Sequence, residues 1–193
     1  MARRIAVILG HPDPGPSLCR SLADAYAEGA QGAGHEVRRI DAASLEVGFL
    51  RSARDFHSGE APAWVDAAQG VLSWAEHLVI VYPLWHGTMP ALLKAFFEQV
   101  FRPGFALAYG GNGWPLGLLK GRSARVVVTM GMPALAYRWY FGAHSLKSLE
   151  RNILKFSGIR PVRETLIGMV DALTEEKRGR WLERLRALGA RGA

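Results

Sequence analysis

Tyr82-Pro83-Leu84-Trp85-His86-Gly87-Thr88-Met89-Pro90 sets a proline, a large aromatic ring, an imidazole and a glycine directly after the apolar run Val79-Ile80-Val81. Such a row suits contact with a planar aromatic ligand: the rings stack or meet it edge-on, and the glycine lets backbone approach it closely. A second segment, Thr129-Met130-Gly131-Met132-Pro133, leads into Tyr137, Trp139, Tyr140, Phe141 and His144, where a phenol and an imidazole are available as proton donors. A third, Gly10-His11-Pro12-Asp13-Pro14-Gly15-Pro16-Ser17-Leu18-Cys19, is rich in turn formers and closes on Ser17, a natural helix N-cap. Free N–H groups and the helix dipole at that point seat a phosphate without a lysine, although Asp13 counts against an anion there. Each segment also has an ordinary reading, as a cap, a surface histidine or packed aromatics. What favours a site is that all three follow a strand-like run.

Those runs are Ile5 to Leu9, Glu36 to Ile40, Leu78 to Tyr82, Arg125 to Thr129 and Val162 to Ile167. Between them, apolar spacing predicts helices from Ser17 to about Ala33, Pro62 to Trp74, Pro90 to Arg102 and about His144 to Ser157, with a last one from Glu175 to Arg191. Near-continuous apolar strands require cover on both faces, which a parallel sheet between two helix layers supplies. The expected fold is therefore a doubly wound α/β sandwich. For five strands the flavodoxin-like order 2-1-3-4-5 is one common solution, with ligands at the strand carboxyl ends, where the loops after strands one, three and four lie together.

The chain has 193 residues, 49% of them hydrophobic, and no linker-like stretch divides it, so one domain spanning 1–193 is expected. Its lone cysteine, Cys19, leaves no internal disulfide and no multi-cysteine metal or iron–sulfur site, which fits a reducing cytoplasm. The apolar run after Arg3 and Arg4 is too short for a signal sequence and reads as a strand, and no spanning helix is implied. A formal charge of +7 raises the question of nucleic acid, but the basic residues are scattered and no such motif is present. The charge reads instead as solubility and attraction for phosphorylated ligands. Trp181, Leu182, Leu185 and Leu188 recur at helical spacing among arginines, as in a terminal helix docked on the sheet rather than one lying on a membrane.

From Tyr82 to Ala106 the chain resembles the signature of the flavodoxin-like NAD(P)H:quinone oxidoreductases, a group that includes the DT-diaphorases, the modulators of drug activity and the ancillary flavoproteins of glutathione-gated potassium efflux systems. The resemblance covers nearly the whole chain. It implies a flavin whose phosphate is held by His11, Ser17, Leu18 and Cys19. The isoalloxazine ring would be contacted by Pro83, Leu84, Trp85, His86 and Gly87 on one side and by Thr129, Gly131 and Met132 on the other. It also implies that Tyr137 and His144 assist hydride transfer, although the family's Gly-Gly is here Gly131-Met132 and His144 fits only with a one-residue shift. The implied reaction is ping-pong: NADPH or NADH reduces the flavin, and a quinone or similar acceptor takes two electrons at the same stacking position. No metal is called for.

With few residues to cover an adenosine, FMN is expected over FAD. A homodimer is the family expectation, with Phe105 and Trp114 as contributors. Two rivals stand beside this reading. Gly15-Pro16-Ser17-Leu18-Cys19 nearly matches a hydrolase elbow, but a proline-laden loop separates Leu9 from Ser17 where the elbow needs a sharp turn. The stronger rival is a flavin-binding regulatory or electron-transfer partner of a membrane transporter, for which turnover is secondary.

Overall fold

The computed structural model describes residues 1–109 and 115–193. In chain order the main elements are β1 (Arg4–Leu9), α1 (Leu18–Gly32), β2 (Glu36–Asp41), α2 (Ala53–Ser58), α3 (Ala63–Trp74), β3 (His77–Pro83), α4 (Ala91–Val100), β4 (Leu107–Tyr109), β5 (Pro115–Gly117), β6 (Ser123–Thr129), α5 (His144–Ser148), β7 (Val162–Ile167) and α6 (Glu175–Ala190). β1, β2, β3, β6 and β7 form one parallel sheet in the order β2-β1-β3-β6-β7. With the small antiparallel β4–β5 hairpin set aside, this is the flavodoxin-like order 2-1-3-4-5.

Alternation along the strands divides the core into two layers. Ile5, Val7, Leu9, Val79, Val81 and Val127 face α1 and α6, where they meet Leu22, Tyr26, Leu185 and Leu188. Ala6, Ile8, Leu78, Ile80, Tyr82, Val126 and Val128 face α3, α4 and the segment around α5, packing on Val65, Leu72, Leu93, Phe96, Phe97 and Leu149. The central strands are buried on both faces, which explains their continuous apolar sequence. β2 and β7 lie at the edges, and there charged residues such as Glu36, Arg39, Arg163 and Glu164 reach solvent.

Several expectations are refined. The helix read over His144 to Ser157 is α-helical only through Ser148 and continues as a π-helix over Leu149–Lys155. Another π turn spans Ala136–Tyr140. Between β2 and α3, where the sequence predicts no element, lies α2, and between α4 and β6 lies the β4–β5 hairpin. Trp114 lies outside the described residues. Phe105 is half-buried against the core.

α1 and α6 cross with little between them. A Cβ on Gly29 would lie 2.0 Å from the Arg186 carbonyl oxygen, and one on Gly189 would lie 2.0 Å from that of Tyr26. Only glycine at both positions permits so close an approach.

At the opposite, N-terminal edge of the sheet, His77 opens β3 at 2% exposure, with Nδ1 2.8 Å from Ser123 Oγ. Burial first, and then the charges of Arg3, Arg125 and Arg163, push its pKa down to about 3. The folded state thus refuses a proton that the unfolded chain accepts near pH 6.5, so the stabilisation is present above that value and is lost as pH falls toward 3. Between pH 7 and pH 5 this single group is expected to cost about 2 kcal/mol of folding free energy. Urea titrations of the protein and of His77→Gln at the two pH values check it: the variant is expected to lose less stability over that interval, and equal losses would contradict the assignment.

Candidate active site

Three loops leave the C-terminal ends of β1, β3 and β6 and are tied to one another there. Gly10 N–H donates to the Val81 carbonyl at 2.8 Å, and Leu84 N–H donates to that of Thr129 at 2.7 Å. Cys19 Sγ lies 3.2 Å from Thr129 Oγ1. The rings of His11 and Trp85 meet edge-on with centroids 5.9 Å apart. The parallel register demands this convergence, since Leu9 pairs with Val81 and Pro83 with Thr129 at one end of the sheet.

In the first loop, Asp13 is turned inward on its own turn: Oδ1 accepts from Gly15 N–H at 2.7 Å, and its backbone N–H donates to His11 Nδ1 at 3.1 Å. Ser17 has the extended backbone of an N-cap, and its Oγ accepts from Arg20 N–H at 3.2 Å. The amides of Leu18 and Cys19 then begin α1 with no preceding turn to bond, as an anion seat requires. The Arg20 guanidinium braces the loop, reaching the Gly15 carbonyl at 3.3 Å and the Asp41 carboxylate at 2.8 Å. The Cys19 side chain is core: it is 2% exposed, and burial pushes its thiol up to about 11. That removes thiolate chemistry at neutral pH and leaves its backbone N–H as the part available to a ligand.

In the loop after β3, Trp85 and Thr88 exchange two backbone hydrogen bonds of 2.9 Å around a two-residue turn at His86 and Gly87. Both turn residues have positive φ, 48° and 76°, as a tight primed turn requires. Glycine meets that at no steric cost, whereas histidine there costs on the order of 1 kcal/mol. Pro83 is buried, Leu84 half-buried, His86 and Gly87 exposed, and Trp85 presents 48% of its surface.

Beyond β6, Thr129 is buried, Gly131 exposed and Met132 half-buried against the core. The loop is supported from behind by the segment after β7: Val170 N–H donates to the Met130 carbonyl at 3.2 Å, and Met169 N–H to that of Met132 at 3.1 Å. The two expected proton donors separate. Tyr137 is 1% exposed, and its hydroxyl oxygen accepts from Leu146 N–H at 3.2 Å, holding the start of α5. Burial pushes its pKa up, so it remains a neutral phenol. His144 is exposed, its imidazole placed 2.8 Å from where a Cβ on Gly142 would stand. Leu135, Trp139, Tyr140 and Phe141 form an exposed ridge beside them.

Residues 3–188 match a family described by its flavodoxin-like fold. The chain belongs to this flavodoxin-like family. An uncharacterized NAD(P)H oxidoreductase of Haemophilus influenzae is 25% identical over 92% of the chain and 89% of its own length. An FMN-dependent NADH:quinone oxidoreductase of Colwellia psychrerythraea is 36% identical over 46% of the chain and 43% of its own length. A glutathione-regulated potassium-efflux ancillary protein of Cronobacter sakazakii is 40% identical over 36% of the chain and 35% of its own length. The alignment with the last two thus spans less than half of each.

Some groups that shape this flavodoxin-like site escape sequence reading. Arg20 and Asp41 are joined only by the fold, Ser145 Oγ lies 3.0 Å from Thr88 Oγ1, and Asp171 faces Gly131 from the loop after β7. Asp41 at the end of β2 carried a weak signal; the other contacts carried none. Among the described residues no cluster of His, Cys, Asp and Glu suits a metal, and no helix is long and apolar enough to cross a membrane.

Proposed function

We propose that this chain is a flavin-dependent NAD(P)H oxidoreductase that reduces quinones or similar two-electron acceptors. The observation that carries the reading is the convergence of a free helix N-terminus, the exposed Trp85 and the open Gly131 at one end of the sheet. These residues fit a flavin mononucleotide. The amides of Leu18 and Cys19, with Ser17 and His11 beside them, suit its phosphate. Pro83 to Gly87 suit one side of a flat ring, and Thr129, Gly131 and Met132 the other. A relative is FMN-dependent by name, which favours FMN over FAD.

The chemistry such a ring supplies is hydride acceptance from NAD(P)H and two-electron delivery to an acceptor, in ping-pong order. The chain's own part is to orient and to exclude water. The exposed Gly131 leaves room for backbone to approach such a ring, and the exposed Trp139, Tyr140 and Phe141 would flank it. His144 is the accessible proton donor. Tyr137 acts by fixing the turn into α5 that presents it.

An anaerobic titration with FMN and with FAD, followed by NADPH or NADH and then a quinone, tests the reading through the flavin absorbance near about 450 nm. Tight FMN binding, bleaching by the nicotinamide and recovery on quinone addition are expected. Failure to bind either flavin would sink the site assignment. Similarity to the potassium-efflux ancillary protein supports a second reading, a flavin-bearing partner docked on a membrane transporter. Binding without bleaching by either nicotinamide would favour that one.

A further inference from the structure

The opposite edge of the sheet has a site of its own. A cavity of about 710 Å³ opens where β1, β3 and β6 begin and where α6 comes to its end. It lies about 20 Å from the flavin loops, the length of a seven-residue strand. Arg3, Arg122, Arg160, Arg163 and Arg191 all line it. Glu76 is the one carboxylate side chain in the wall, and it is already engaged by Arg4, accepting from the Arg4 backbone N–H at 3.0 Å with the guanidinium 3.6 Å away. The main-chain oxygen of Ala193, also in the wall, is engaged from below, accepting from Arg125 Nε at 2.7 Å.

Elsewhere Arg20, Arg39, Arg138, Arg180 and Arg186 each sit on an Asp or Glu, while others, such as Arg51, Arg54 and Arg151, form no ion pair among the described residues. What sets the cavity apart is that five arginines gather in one wall and none of them has an acidic side-chain partner among the described residues. Two are fixed by neutral carbonyls instead: Arg122 donates to Leu72 and Ser73 at 3.0 and 2.7 Å, and Arg3 to Gly192 at 2.8 Å. Those bonds orient the guanidinium groups without cancelling their charge. Arg160, Arg163 and Arg191 are exposed at the rim. Beneath them His77 is fully buried with its Nε2 unpartnered, and the charges of Arg3 and Arg163 help keep it neutral. An array of like charges in one concavity is self-repelling unless an anion neutralises it.

We propose that this cavity binds a small phosphorylated polyanion carrying at least two adjacent negative charges. Its volume lies in the range of small-molecule sites and admits a diphosphate with an attached group of nucleotide size. Planar guanidinium forks suit paired phosphate oxygens, and bridging Arg163 on β7 to Arg191 beyond α6 would tie two edges of the fold together. The site is separate from the flavin reading and does not depend on it.

Calorimetric titration of the protein at fixed ionic strength, with inorganic pyrophosphate, inorganic phosphate, ADP and sulfate in turn, tests it. Saturable binding of pyrophosphate at least ~10-fold tighter than of phosphate or sulfate is expected from paired guanidinium contacts. A tighter response to ADP would identify a nucleotide as the source of the diphosphate; equal responses would identify the diphosphate alone. The triple variant Arg160→Gln, Arg163→Gln, Arg191→Gln, all at exposed positions, is expected to lose at least ~10-fold in affinity while keeping its circular dichroism and FMN titration. Arg180→Gln, on α6 away from the cavity, is the control and should bind as the parent does. Binding that survives in the triple variant, that is displaced by FMN, or that does not separate pyrophosphate from sulfate would overturn the proposal.

Discussion

Replacing Gly131 by valine is expected to weaken FMN binding by about 100-fold, or roughly 3 kcal/mol, while the protein stays folded. The two halves of that outcome have different physical sources. A Cβ at this position meets only the carboxylate oxygen of Asp171, at 2.9 Å, and Asp171 is an exposed side chain that can swing away. The bonds that shape the loop are main-chain: Met130 N–H to the Ile167 carbonyl at 2.9 Å, and Val170 N–H to that of Met130 at 3.2 Å. A branched side chain leaves them intact. It does occupy the space through which backbone would approach a flat ring. FMN titration by fluorescence quenching, beside thermal unfolding by circular dichroism, reads both halves. Undiminished affinity would remove Gly131 from the ring contact, and a collapse in melting temperature would show the glycine to be structural.

That glycine was legible because it follows a strand, and the same holds for most of the site. Strands buried on both faces announce themselves as apolar runs, as Leu78 to Tyr82 does within β3; the edge strand Val162 to Ile167 has the same bounds in the sequence and in the structure. Ser17 stood out as an N-cap because the loop chemistry before it and the helical spacing after it agree. What stayed illegible is whatever depends on partners distant in sequence. The three-residue strands of the hairpin have no room for a period, and α2, with no buried residue, has no apolar face to detect.

Tyr137 shows the limit most clearly. Sequence places it after the glycine loop, where a phenol suits proton donation, but the π turn over Ala136–Tyr140 rotates it inward and leaves Trp139 and Tyr140 outside. Helical periodicity assumes 3.6 residues per turn, so a wider turn reassigns every side chain that follows it. The hydroxyl of Tyr82, buried without a protein partner among the described residues, lies on the same side of the sheet and shares a core layer with Tyr137. The polar groups beneath the site are thus arranged by packing that no single-sequence pattern encodes.

Gly189→Val should produce the largest loss of stability, about 3 kcal/mol or more, with a fall in melting temperature on the order of 10 °C. A Cβ there would lie 2.0 Å from the Tyr26 carbonyl oxygen and 2.9 Å from Ala30 N, and backbone in a helix cannot yield as a side chain can. α6 must lift from α1, opening the layer sealed by Tyr26, Ala30, Leu185 and Leu188. Gly29→Val forces the same separation through the Arg186 carbonyl, so the double variant is expected to cost clearly less than the sum of the two. Additive losses would mean that the two glycines act at independent contacts. The crossing also bears on function, because α1 runs about 18 Å from Ser17, the proposed phosphate seat, to Gly29 near its far end. A rigid rod displaced at one end would move at the other. Cys19 against Thr129, and Arg20 on Asp41 and the Gly15 carbonyl, hold the seat locally. FMN affinity in Gly189→Val is therefore expected to fall by less than ~10-fold, the scale of one modest contact. A larger fall, measured well below the melting temperature, would show that the seat is set by the α1–α6 crossing rather than by the loop around it.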